Sequence, residues 1–250
     1  MGTTTVLKPN ATGQASDQRF QGVSPDLVTY VEQGEEIIKT LQENVKLKGW
    51  QTMDAFTSEG FLVKKFHDPV TKRTSFLTQA ILDIPCEELF DEVWYNGENT
   101  PEWNRNVIKF KFVEIIGDHC RVAYQITAPL AGGMIASRDF LNLLCYKIEN
   151  NTIYSAYAST SWPGYEATNK YVRAEVYPSG FVYSSVPGDP SKTQIQWLYN
   201  TDIRMSFLPD YILNNILPLS FKSYIQYMQE HLAGLRRYPK STPAPVSQAP

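Results

Sequence analysis

The sequence predicts an α+β fold in which a curved antiparallel sheet wraps around one long C-terminal helix. Three observations lead there. Helical periodicity appears near the start, short alternating segments joined mostly by tight turns fill the second half, and an apolar-striped segment, Leu208–Arg237, ends the folded part.

The elements follow in order. Ser24-Pro25-Asp26 starts a helix, with a capping side chain, proline at the first helical position and an acid at the positive helix end. Leu27, Val31, Ile38 and Leu41 give that helix an apolar stripe, and Lys46–Gly49 ends it. Trp50–Phe56, Phe61–Phe66 and Thr74–Ile81 read as strands, with turn residues at Ser58-Glu59-Gly60 and Asp68-Pro69. A second helix spans Pro85–Tyr95. Strands then follow at Val107–Ile116, Arg121–Ala128, Arg138–Ile148, Thr152–Thr160, Lys170–Tyr177, Phe181–Val186 and Thr193–Ile203, interrupted by a longer loop over Ser159–Asn169. Pro218 is expected to kink the last helix, because it has no N–H to donate and clashes one turn back. A sheet wrapped around such a helix is the helix-grip arrangement. It leaves a cavity wherever the helix does not fill the concave face. Residues 1–23 and 239–250 lack periodicity and are expected to be disordered tails around one domain, 24–238.

Composition narrows the function. A net charge of −3 argues against nucleic-acid binding, which needs concentrated Lys and Arg. No apolar run reaches the length of a membrane span, and MGTTTVLKPN shows no signal pattern, so a cytoplasmic protein is expected. Cys86, Cys120 and Cys145 are odd in number and widely spaced, without a CxxC, which suggests buried free thiols in a reducing compartment. His67, His119 and His231 have no metal-ligand spacing. There is no GxSxG, P-loop or GxGxxG. Glu87-Glu88 and Asp91-Glu92 read as a solvated helix face. Neither an enzyme nor a cofactor is expected.

The stretch Met134–Lys147, MIASRDFLNLLCYK, raises one question. On a strand, Phe140, Asn142, Leu144 and Tyr146 share one face, and an asparagine among large apolar residues suits neither solvent nor a dry core. A lined cavity accommodates both kinds of side chain. The adjacent Arg138–Asp139 is expected to pair locally at the strand entrance.

Together with SRDF at Ser137–Phe140, the elements EWNRNV at Glu102–Val107, NKYVRAE at Asn169–Glu175 and PSKTQIQWLYNTDIRMSFLP at Pro190–Pro209 resemble the steroidogenic acute regulatory protein-related lipid-transfer (START) family. The resemblance covers about 25 to 237 and is nearest to the sterol-type subgroup, which includes insect carotenoid carriers. It implies a helix-grip fold whose tunnel holds one apolar ligand, a carotenoid such as lutein or a sterol, with the last helix and the Ser159–Asn169 loop as its lid. It further implies a monomeric carrier that touches membranes transiently and does no covalent chemistry. Sterol-type relatives carry a buried acid and arginine at the positions that are Gln125 and Leu144 here, so both charges are missing. Removing one alone would strand a buried charge at about 3–5 kcal/mol. The resemblance marks Asn104, Gln125, Asn142, Leu144, Ser220, Phe221 and Tyr224 as ligand-binding. Trp162, with Tyr165, is amphipathic and suited to a bilayer interface as well as to ligand.

Overall fold

The computed structural model describes residues 23–58, 60–205, 209 and 211–237. Apart from Val23, the expected tails lie outside these residues. A short 3₁₀ turn over Pro25–Leu27 leads into helix α1, Val28–Asn44. Ser24 does not cap it; its hydroxyl bonds the Asp26 carboxylate instead. Val31, Ile37, Ile38 and Leu41 form the buried stripe of α1.

Strand β1 is only Gln51–Thr52, because the chain turns into a 3₁₀ segment at Asp54–Phe56 where a longer strand is expected. Strands β2 (Phe61–His67) and β3 (Thr74–Leu82) form a hairpin, followed by helix α2 (Cys86–Tyr95). A one-turn helix α3, Thr100–Trp103, occupies what reads as loop, with Pro101 in its first turn. The meander follows as β4 (Val107–Ile116), β5 (Cys120–Thr127), β6 (Arg138–Glu149) and β7 (Thr152–Ser159). The expected strand over Lys170–Tyr177 is broken into β8 (Val172–Arg173) and β9 (Glu175–Val176). Strand β8 adds to β6 in parallel, whereas β9 pairs with β12 (Thr201–Asp202). Between them lie β10 (Ser179–Val186) and β11 (Asp189–Tyr199). The main sheet runs β1-β2-β3-β11-β10-β7-β6-β5-β4, so the first hairpin joins the meander through β3 and β11.

Both faces are covered. Leu141, Leu143 and Cys145 of β6 pack with the α1 stripe, whereas the opposite face packs with α2 and the C-terminal helix. That last segment begins with a π-type turn, Ile212–Ile216, and continues as α4, Leu217–Arg237. The irregular turn abuts Pro218, which has no N–H for the carbonyl of Asn214 four residues earlier. Wider hydrogen bonding is a common response to such a gap.

The cysteines correct an expectation. Cys120 and Cys145 sit opposite each other across the β5–β6 ladder, with Cα atoms 4.2 Å apart, and form a disulfide; only Cys86 is a free thiol. Close cross-strand pairing brings the two sulfurs together although 25 residues separate them in sequence. The bridge lies directly under Gly34 of α1. A Cβ at Gly34 would fall 2.2 Å from the Cys145 Sγ and 3.1 Å from the Cys120 Sγ. Gly34→Ala is therefore expected to destabilise the protein by about 1–3 kcal/mol in urea unfolding, despite alanine's better helix propensity. A gain in stability would show that α1 does not sit this close to β6.

Candidate functional site

Between the sheet and α4 lies a cavity of about 230 Å³. Three strands supply its floor by alternation: Ala123, Gln125 and Thr127 from β5, Phe140, Asn142 and Leu144 from β6, and Ser155 and Tyr157 from β7. Phe181 of β10 and Trp197 and Tyr199 of β11 form a side wall. Leu217, Ser220, Phe221 and Tyr224 form the roof. Gly97, Thr100 and Asn104 close one part, and the segment Ala128–Ala136 another.

Stacked rings hold the roof down. Phe221 lies 5.1 Å from Trp197, 5.1 Å from Tyr199 and 5.3 Å from Phe76, centroid to centroid. Tyr224 meets Trp197 at 4.8 Å and Phe181 at 6.0 Å. Further along α4, His231 stacks on Trp103 and its Nε2 lies 2.7 Å from the Glu92 Oε1, tying the helix to α2.

The wall chemistry is mostly neutral. No Asp, Glu, His, Cys or Lys lines the cavity among the described residues. Arg138 alone brings a charge, and its guanidinium is committed to two backbone carbonyls, Nε to Ile203 at 3.0 Å and Nη1 to Ala136 at 2.5 Å. Burial pushes the Tyr199 hydroxyl up to about 12 and holds those of Tyr157 and Tyr224 well above the ordinary phenol range, so all three stay neutral donors. The Tyr157 hydroxyl accepts the Trp197 Nε1–H at 2.9 Å, which leaves its own proton to offer. The Asn142 Oδ1 is buried without any partner. The cavity thus presents an apolar ring-lined space with an unpaired acceptor and a hydroxyl donor on neighbouring strands.

The family model for the START domain matches residues 31–241. The chain belongs to the START family. Curated relatives include the mitochondrial steroidogenic acute regulatory protein of Salvelinus fontinalis, 29% identical over 219 residues, or 85% of this chain and 74% of that protein. The protein of the same name from Homo sapiens is 28% identical over 206 residues, 82% of this chain and 71% of the relative. Among solved structures, human StAR-related lipid transfer protein 5 superposes with a TM-score of 0.75 at 21% identity, covering 84% of this chain and 99% of that one. Human STARD10 superposes at 0.66 and 18% identity, covering 80% and 82%. The helix-grip fold and the sterol-type START resemblance expected from the sequence are both found.

Of the residues singled out in the sequence, this START chain brings Asn104, Gln125, Asn142, Leu144, Ser220, Phe221 and Tyr224 to the cavity. Two of their polar groups are already engaged. The Asn104 Oδ1 accepts the Asn106 N–H at 3.0 Å, and the Ser220 hydroxyl donates to the Leu217 carbonyl at 2.7 Å. Trp162 is elsewhere. It packs on Tyr30 of α1 at 5.4 Å, on the opposite face of the sheet, and the Tyr30 hydroxyl donates to the Ser161 carbonyl. Tyr165 packs on Tyr124, and its carbonyl accepts from Arg173. The Ser159–Asn169 loop is therefore pinned beside α1 instead of forming part of a lid, and neither ring is presented for membrane contact.

Arg138 and Asp139 also differ from expectation. As neighbours on a strand they point to opposite faces, so Arg138 lines the cavity while Asp139 pairs with Arg173 at 2.8 Å and accepts from the Tyr124 hydroxyl. Sequence reasoning missed Tyr157, Phe181, Trp197 and Tyr199 as lining. The strict alternation of Thr193, Ile195, Trp197 and Tyr199 was the available signal for the last two. Asn142→Leu should raise the stability of the cargo-free protein by about 1–3 kcal/mol, since it removes a buried acceptor that has no donor. Calorimetry on delipidated protein checks this, and an unchanged or lower melting temperature would mean the amide is satisfied.

Proposed function

We propose that this START chain is a non-enzymatic, monomeric carrier of a neutral isoprenoid, a carotenoid such as lutein, held in the cavity and exchanged at membranes. One observation carries the reading. At the two positions where sterol-type relatives hold an ion pair, Gln125 and Leu144 line the cavity, and no carboxylate lines it among the described residues. A polyene with hydroxylated ends needs a long greasy path and neutral hydrogen-bonding partners, which the Asn142 amide and Tyr157 hydroxyl can supply. Each methylene removed from water contributes about 0.8 kcal/mol, so burial alone supplies ample affinity for a C27–C40 hydrocarbon.

Size bears on the same choice. The open space is below the roughly 300–1,000 Å³ of ordinary small-molecule sites, so cargo has to displace the aromatic roof or extend beyond the cavity. A thin, long chain does either with less disturbance than a rigid ring system. The competing cargo is a sterol, favoured by the curated relatives named for steroidogenesis. A cytoplasmic location accords with the carrier role, and no described helix is long and apolar enough to cross a membrane. The Cys120–Cys145 bridge fits that location because both residues are buried, at 3% and 1% exposure, out of reach of soluble reductants.

Incubation of purified protein with lutein and with cholesterol, followed by gel filtration, is expected to give visible absorbance co-eluting with the protein. Its absence, with cholesterol retained, would overturn the carotenoid reading in favour of the sterol one. The pair Gln125→Glu with Leu144→Arg should lower lutein loading severalfold. Leu144→Arg alone is expected to be destabilised by about 3–5 kcal/mol, because its buried charge has no partner.

A further inference from the structure

A second concavity, of about 550 Å³, lies outside the lipid cavity, between the β2–β3 hairpin and the start of the C-terminal helix. Lys65, Lys72 and Arg73 line it against a single carboxylate, Asp202. That carboxylate is already engaged, accepting the Arg204 backbone N–H at 2.8 Å with the Arg204 Nε 3.6 Å away. The three cations have no carboxylate partner of their own in the groove. The Arg73 guanidinium lies over the Tyr177 ring at 3.7 Å, and its buried Nε has no hydrogen-bond partner. Lys72 is exposed at a φ of 58°, a left-handed position where glycine or asparagine is the usual occupant. Placing a lysine there is unfavourable for the turn, and its charge is delivered to the groove.

Two features connect this groove to the cavity. Tyr199, Thr201, Ile203 and Leu217 line both, so one thin wall separates them. In addition, the Lys65 Nζ donates to the Asn214 Oδ1 at 2.8 Å, tying β2 to the π-type turn that precedes α4. The same helical segment exposes two large apolar side chains, Tyr211 at 59% and Leu219 at 49%.

We propose that this groove binds the phosphate-bearing headgroup of an anionic membrane lipid, and that the phosphate takes Lys65 from Asn214 and so loosens the helix start above the cavity. Lysine and arginine without competing carboxylates suit a phosphate, and exposed Tyr211 and Leu219 beside them suit the bilayer rather than a soluble anion. The overall charge of −3 opposes binding to polyanions at large, which confines the attraction to this face. Pro218 already denies the Asn214 carbonyl its helical N–H partner, so the Lys65 bond is one of few polar ties at this turn. The release step rests on the carrier reading; headgroup binding does not.

Sedimentation with phosphatidylcholine vesicles, with and without phosphatidylserine, tests the site. The wild type is expected to sediment only with the anionic vesicles and to lose binding as salt is raised. Lys65→Gln with Lys72→Gln should weaken binding by about tenfold or more. The charge-matched pair Lys39→Gln with Lys147→Gln, on exposed positions elsewhere, should leave it unchanged. Equal loss in both pairs, or equal binding to neutral vesicles, overturns the site. Displacement from vesicles by low-millimolar inorganic phosphate at matched ionic strength would make it a free-anion site and overturn the membrane assignment.

Hydrogen exchange tests the release step without cargo. Amides over 212–220 should exchange severalfold faster when phosphatidylserine vesicles are added, and Asn214→Ala should show that faster exchange without vesicles. Unchanged exchange in both overturns the coupling. Because neither readout involves cargo, failure of the lutein and cholesterol experiment is distinguishable from failure here.

Discussion

Strand β6 is buried on both faces, and the rest of the molecule is arranged around that constraint. On one side Leu141, Leu143 and Cys145 receive α1. On the other Phe140, Asn142 and Leu144 face the space under α4. A strand that must satisfy two packing partners has no freedom of register, because a slip by one residue would exchange its two faces. The disulfide to β5 and the close seat of Gly34 on it fix the α1 side tightly. The opposite side is closed by rings that stack at their edges and faces but do not fill the volume. One face is therefore rigid and solid, and the other is hollow.

Charge is distributed to match. Arg121, on the inward-facing set of β5, is buried at 6% exposure with no carboxylate partner among the described residues. It bonds the Trp94 carbonyl through Nη1 at 2.8 Å and lies 4.0 Å from the Trp94 ring and 4.7 Å from that of Phe112. Arg138 is likewise held by carbonyls. Both guanidinium groups thus act as staples between segments, satisfied by dipoles and ring faces rather than by acids. The only buried carboxylate on β6, Asp139, is sequestered on the α1 side with Arg173. The sheet itself separates it from the cargo space.

Much of this was legible in the residues. The alternation of FLNLLCYK, the long striped C-terminal segment and the turn residues of the meander predicted the sheet, its closing helix and the inward placement of Asn142 and Leu144. What was not legible depended on partners distant in sequence. The position of Trp162 is set by Tyr30 on the first helix, and nothing within STSWPGYEATN indicates that contact. The disulfide required the β5–β6 register, which follows from the pairing and not from cysteine spacing. The break between β8 and β9 arises because Val172 and Arg173 pair with β6 whereas Glu175 and Val176 pair with β12. The split of Arg138 from Asp139 was available all along, since neighbours on a strand face apart.

The tyrosine hydroxyls around the cargo space have a consequence for where such a carrier can work. Every titratable wall group is either a phenol held at or above about 12 or a guanidinium that stays protonated. Nothing on the walls changes charge between mildly acidic and mildly alkaline surroundings. The grip on a cargo is accordingly blind to proton concentration, and a compartment's acidity cannot by itself make the walls let go. Unloading in such a container has to be mechanical, by parting aromatic rings.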